Sequence, residues 1–248
     1  MLLLSSASIR LKEDAPVRAG AVAPVTSVKG GSVIVRRHSY FDVLWHWVNF
    51  FALGFVILTG MQIYFGWPFL AEYAVVRGIH FTLAIFVALW NFPVFLYYSA
   101  VSGELPYFLF RLVDLRRALY DFKAFLGIAE EAEHNTYDLE DGRYFRKYNA
   151  MHKMHVWVSL ILLLGLGTTG LSLWSDYYAF LSGWVGNIAV VRAVHLNLFY
   201  IFLFFNVGHI YFASVPWNWR TMTKSIFNGV AVAKLHVKVG KESEEDRF

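Results

Sequence analysis

Four stretches of this 248-residue chain, about 41 to 65, 78 to 101, 154 to 175 and 193 to 215, each hold roughly 20 residues with almost no charge. A soluble helix of that length needs a charged face, and these have none; Asp42, at the edge of the first, is the nearest exception. Inside a bilayer every backbone N–H and C=O must bond within its own segment, so four such stretches fold as four helices. A hydrophobic content of 57%, an aromatic content of 19% and a mean hydropathy of +0.46 agree with lipid as the solvent. The expected fold class is an all-α integral membrane protein, a four-transmembrane-helix bundle.

Basic residues set the expected orientation, because lysine and arginine are retained on the cytoplasmic side. Of the 22, 20 fall in the segment before the first stretch, in the long connection at 102 to 153, or after the fourth stretch. Arg77 and Arg192 alone lie on the other side. Both termini and the long loop are therefore expected to be cytoplasmic. MLLLSSAS lacks a charged leading region and is too short for a signal peptide, so residues 1–36 are read as a cytoplasmic tail. Residues 37–230 form the membrane domain and 231–248 a second tail. The acidic run EEAEHNTYDLEDG, 130 to 142, reads as a solvated loop, and His38, His134 and His236 read as solvated side chains. No internal repeat is evident. The absence of cysteine excludes disulfides, Cys-ligated iron–sulfur clusters and covalently attached haem. A net charge of +4 says little about partners, and nucleic acid is not expected among them.

Ionisable side chains are costly in a spanning helix and mark functional sites by default. His46 lies in the first stretch, His80 opens the second, and His195 and His209 flank the fourth. The last two are fourteen residues apart, about 1400° of rotation and so within roughly 40° of whole turns; they share a face, about 21 Å apart along the axis. Chain direction then puts His46 level with His209, and His80 level with His195. Two imidazoles from different helices at each of two depths suit two six-coordinate b-type haems stacked across the membrane. A tetrahedral zinc site would need four donors at one depth. Gly54, Gly60, Gly165, Gly167 and Gly170 could leave room for flat macrocycles, or serve simple close packing. His152 and His155 are expected to be interfacial, without a ligand role. Arg77 and Arg192 each precede an outer-level histidine by three residues, hence on its helix face, where a guanidinium suits a haem propionate or an ordinary interfacial anchor.

With those residues in view, RHSYFDVLWHWVNFFALGFVILTG, the RGIHF opening, RKYNAMHK before the third stretch and the His-x13-His fourth stretch resemble the di-haem cytochrome b subunits of bacterial respiratory oxidoreductases. The formate dehydrogenase gamma subunit and the cytochrome b subunits of nickel–iron hydrogenase and thiosulfate reductase are the relevant kin, over roughly residues 36 to 230. The resemblance implies that His46 and His209 ligate a cytoplasmic-side haem and that His80 and His195 ligate an outer one. It implies an iron–sulfur partner subunit, a catalytic subunit, and a quinone substrate, menaquinone or ubiquinone, bound beside the cytoplasmic-side haem. In the formate dehydrogenase subunit a Lys-Tyr-Asn-Ala motif contributes to the quinone site. Lys147, Tyr148, Asn149 and Ala150 match it, whereas Met151 and His152 replace the usual Gly-Gln; His152 could itself bond a quinone carbonyl or relay a proton. The plain alternative for Asn149 is a helix N-cap.

Two rival readings follow from the same residues. A histidine-lined transporter for a metal ion or proton would call for carboxylates within the spans and broken helices in matching halves, yet Pro93 is the only mid-span proline. A bare membrane anchor leaves the matched depths of the histidines unexplained. Aromatics at 66 to 77 and 176 to 191, Trp67, Tyr73, Tyr177 and Trp184, are expected either to meet an outer partner subunit or to anchor in the headgroups.

Overall fold

A computed structural model describes residues 27–29, 31–128, 135–214 and 223–236. Among the described residues, four helices are long and apolar enough to cross a membrane: span 1 (Tyr40–Phe65), span 2 (Tyr73–Val101), span 3 (Ala150–Trp174) and span 4 (Ile188–Ser214). Spans 2 to 4 begin four or five residues before the apolar runs that announced them. Hydropathy falls where Arg77, Lys153 and Arg192 appear, but the backbone ladder continues through them to a cap.

Local chemistry fixes the helix ends. Asp42, the lone acid near an apolar run, belongs to a capping box: Ser39 Oγ accepts from the Asp42 N–H at 3.0 Å, and Asp42 Oδ2 accepts from the Ser39 N–H at 2.8 Å. Gly66 ends span 1 in the left-handed region at φ 70°, its N–H donating to the Gln62 carbonyl. Asn149 Oδ1 caps span 3 by accepting from the His152 N–H at 2.8 Å. Span 2 contains a π-helical turn, Trp90–Val94, around Pro93, which has no N–H to donate and whose ring crowds the carbonyl four residues before it. Asn91 in that turn donates to the Val87 carbonyl and exchanges amide bonds with Asn49 of span 1 at 2.7 and 3.2 Å. Both amides are buried, so the reciprocal pair satisfies two polar groups that hydrocarbon would penalise.

Spans 1 and 2 pack as one antiparallel hairpin and spans 3 and 4 as another. Spans 2 and 3 join the hairpins, with the Phe81 ring stacked on Trp174 at 4.2 Å. Spans 1 and 4 leave between them an apolar cleft of about 280 Å³, lined by Phe50, Gly54, Phe202, Leu203 and Asn206 among others. Large apolar side chains such as Phe51, Phe55, Leu164 and Phe204 point outward and stay exposed, as lipid-facing positions require.

Strands appear where tails and a solvated loop were expected. β1 (Ser27–Lys29), β2 (Ser32–Arg36), β3 (Thr136–Asp138), β4 (Arg143–Arg146) and β5 (Val230–Leu235) form one sheet in the order β1-β2-β5-β3-β4. β2 and β5 alternate buried and exposed side chains, and Val33, Val35, Ala233, Tyr137 and Tyr144 make a small core beneath them. The segment before span 1, the connection between spans 2 and 3, and the segment after span 4 therefore share one end of the bundle, hereafter the sheet end. Gly229, at φ 77°, carries the chain from the short helix Ser225–Asn228 into β5, and its carbonyl accepts from the N–H groups of Arg37 and His38. A Cβ there would lie 2.7 Å from the His38 carbonyl oxygen.

The amphipathic helix Leu112–Phe125 is tied to span 3 by Lys153, whose ammonium lies 3.2 Å from Asp114, itself 3.5 Å from Arg117. Trp157 donates its indole N–H to the Phe108 carbonyl at 2.7 Å, pinning the preceding segment at the same end.

Candidate functional site

Histidines from spans 1, 3 and 4 converge at the sheet end. The rings of His46 and His209 are 6.5 Å apart between centroids, tilted by 50°. A metal bound between two imidazoles needs about 2 Å to each nitrogen and about 1 Å more to each ring centre, a separation of roughly 6 Å. The His46–His209 spacing meets that requirement. Among the described residues, His46 Nδ1 is buried with no hydrogen-bond partner. Gly54 lines the cleft between spans 1 and 4, and nothing lies within 4 Å of where its Cβ would be.

His155, expected at the interface, turns inward and stacks on His209 at 4.4 Å with ring planes 11° apart. Parallel rings at that distance leave no space for a metal between them, so His46 is the partner of His209 that suits coordination. His152 meets the edge of His209 at 6.1 Å and stacks on Tyr148 at 4.7 Å. Its backbone N–H donates to Asn149 Oδ1, so Asn149 serves as the helix cap.

His80 and His195 occupy the opposite level, and each leans on a neighbouring span. His80 Nδ1 lies 2.9 Å from Thr59 Oγ1 and 3.1 Å from the Val56 carbonyl oxygen of span 1. His195 Nδ1 lies 2.8 Å from Thr169 Oγ1 of span 3. Cβ atoms on Gly60 and Gly170 would stand 3.1 and 3.3 Å from the Cε1 atoms of His80 and His195. These two glycines clear room for imidazoles, which is the close-packing alternative rather than the macrocycle spacing. Gly165 packs against Leu198, while open space surrounds Gly167.

Arg77, expected beside a propionate, donates to the Trp174 carbonyl at 2.6 Å and the Leu173 carbonyl at 3.3 Å, with its guanidinium 4.6 Å over the Trp174 ring. It caps the C-terminus of span 3, the anchoring role left open as its alternative. Arg192 is exposed on the first turns of span 4.

A basic cluster lies behind the sheet-end histidines. Arg37 is buried, donates to Asn135 Oδ1 at 2.5 Å and to the Lys147 carbonyl, and stands over the Tyr144 and Tyr148 rings. Asn135 adopts φ 55°, a conformation asparagine tolerates better than most residues. Lys147 is buried against Glu104, and burial lowers its pKa from the usual lysine value while Glu104 opposes that shift. His38, expected in solvent, packs near Tyr148; burial pushes its pKa well below 6.5, and Lys147 and Arg37 push in the same direction. His236 stacks on Phe145 at 3.7 Å instead of standing in water, and His134 lies outside the described residues. Thr136, Tyr137 and Asp138 of the acidic run are buried in the sheet, contrary to the solvated loop expected. Among the described residues, no group of three or more His, Cys, Asp or Glu could hold a bare metal ion.

Sequence reasoning missed Thr59, Thr169, Asn49, Asn91 and Arg37. A signal for the first two existed: Thr-Gly occurs at 59–60 in span 1 and again at 169–170 in span 3. The two hairpins thus repeat one device, although no repeat was evident in the apolar background.

The model of prokaryotic cytochrome b561 matches residues 37–229. The F420 non-reducing hydrogenase II cytochrome subunit of Methanosarcina mazei is 25% identical over 205 residues, which span 72% of this chain and 76% of that protein. Four spans, paired histidines and these likenesses define a multi-pass membrane cytochrome b, a haem b protein of electron transfer. The chain belongs to the prokaryotic cytochrome b561 family.

Proposed function

We propose that this chain is the di-haem membrane subunit of a respiratory oxidoreductase, conducting electrons between an iron–sulfur partner and the membrane quinone pool. His46 and His209 hold one haem b at the sheet end, and His80 and His195 hold a second near the opposite surface. The 6.5 Å separation of the His46 and His209 rings is the observation that carries this reading. Haem b supplies one-electron transfer at its iron. The chain's part is ligation, depth and dielectric. Its spans keep water from the imidazoles, and its matched levels divide the membrane into two short electron steps.

The charge asymmetry supports a cytoplasmic sheet end, with both termini there, in a bacterial cytoplasmic membrane. The relative named as a hydrogenase cytochrome subunit supports a hydrogenase-type catalytic partner, and the RKYNAMHK motif supports a formate dehydrogenase type. Trp67, Tyr177 and Trp184 are exposed at the opposite end, where such a partner would sit. Menaquinone or ubiquinone would bind beside His152, whose ring lies between Tyr148 and His209 and can hold or pass a proton near a quinone oxygen. Arg192, exposed near the start of span 4, is the cation proposed for an outer propionate.

The test is a reduced-minus-oxidised visible spectrum and a pyridine hemochrome assay on the purified wild type and on His209→Ala. The wild type should show a b-type alpha band, and the variant should lose about half of it. A variant with full haem content would overturn the pairing.

A further inference from the structure

The two imidazoles farther from the sheet are held in the same way by different hairpins, and the hydrogen-bond chemistry settles which nitrogen carries the proton. A carbonyl oxygen can only accept. His80 Nδ1 lies 3.1 Å from the Val56 carbonyl, so it bears the hydrogen, and the neutral ring keeps its lone pair on Nε2. Thr59 Oγ1 lies 2.8 and 2.9 Å from the carbonyls of Phe55 and Val56, donates its own hydrogen there, and offers its lone pairs to the same Nδ1–H. In span 3, Thr169 Oγ1 lies 2.7 Å from the Gly165 carbonyl and 3.2 Å from that of Leu166, with His195 Nδ1 2.8 Å away. Both threonine hydroxyls are therefore committed as donors to their own helices and as acceptors to a histidine of the next helix. Each is followed by the glycine whose missing Cβ lets that imidazole approach.

Resting on the di-haem reading above, we propose that Thr59 and Thr169 are positioning residues that fix the tautomer and ring orientation of His80 and His195, leaving Nε2 of each ring as the donor atom for iron. A hydrogen bond accepted from Nδ1–H also makes a ligating imidazole more electron-donating, which favours the ferric state and lowers the midpoint potential of the haem it holds. Among the described residues, no such bond reaches His46 Nδ1 at the sheet end.

The experiment uses the full-length protein purified with its haem. Thr59→Val and Thr169→Val keep the side-chain shape and remove the hydroxyl acceptor, leaving His80 Nδ1 only the longer contact to the Val56 carbonyl at 3.1 Å; Thr59→Ser and Thr169→Ser restore a hydroxyl. Haem content, redox potentiometry and the low-spin ferric EPR signals of each variant are compared with wild type. Each valine variant should raise the potential and move the largest g value of one haem, or lose that haem alone, while the other haem keeps its wild-type values. The serine variants should return both readouts to wild type. Wild-type protein without two haems would sink the di-haem reading itself. Two haems present, with potentials and g values unchanged in both valine variants, would overturn the role given to the threonines. So would equal loss in the valine and serine variants, since that would make the site one of packing rather than of hydrogen bonding.

Discussion

At the level away from the sheet each histidine is tethered at Nδ1 by a threonine from an adjacent span, whereas at the sheet end four imidazoles from three spans crowd together and His46 Nδ1 has no partner among the described residues. On the function proposed above, the difference matches two tasks. A level that only holds a cofactor gains from rings fixed in advance by their own helices. A level that would also exchange protons with a quinone gains from imidazoles that are free to change partners, such as His152 beside His209.

The largest effects that can break this contrast come from the ligands. His195→Ala should remove one haem per chain and spare the other, and His46→Ala should do the converse, with the two losses distinguishable by potentiometry. Loss of both haems from either variant would mean that the levels are not separate sites.

The sheet end should also depend on its buried ion pairs more than the opposite end does. Asp114→Asn leaves the Lys153 ammonium buried without its counter-charge, which should cost about 3–5 kcal/mol and lower the unfolding temperature of the detergent-solubilised protein. Replacing both residues, Asp114→Leu with Lys153→Met, should recover much of that loss.

A smaller, pH-dependent effect is expected from His38 at the sheet end. His38 titrates well below 6.5 in the fold, so below pH 6.5 the unfolded chain takes up a proton that the folded chain refuses. The stability tied to neutral His38 is complete above pH 6.5 and falls as pH drops toward its folded pKa. His38→Asn should flatten the acid limb of a plot of unfolding temperature against pH; an unchanged limb would show that other groups carry it. The smallest expected change is in His155→Phe, which keeps a ring stacked on His209 and should retain both haems. Loss of the sheet-end haem there would transfer the ligand role from His46 to His155.

Much of this was readable from residue order. The four spans and the pairing of His46 with His209 follow from period and chain direction, because a helix in lipid has little freedom except depth and rotation. The sheet was not readable: β2 and β5 are nearly two hundred residues apart, and neither alone differs from a short apolar tail. The inward turn of His155 depends on the rotation of span 3, which is nearly uniform in hydrophobicity around its circumference and so announces no face. Arg77 was ambiguous for a related reason, since a guanidinium at a helix end suits a carboxylate and a row of orphan carbonyls equally well. Asn149 could be read as a cap because that role needs only its immediate neighbours.

The division of the membrane into two histidine levels is tested most directly by the ratio of haem to polypeptide in the intact purified protein, taken from a pyridine hemochrome spectrum and quantitative amino-acid analysis. Four imidazoles acting as two axial pairs require about two b-type haems per chain. A ratio near one, or no haem at all, would contradict it.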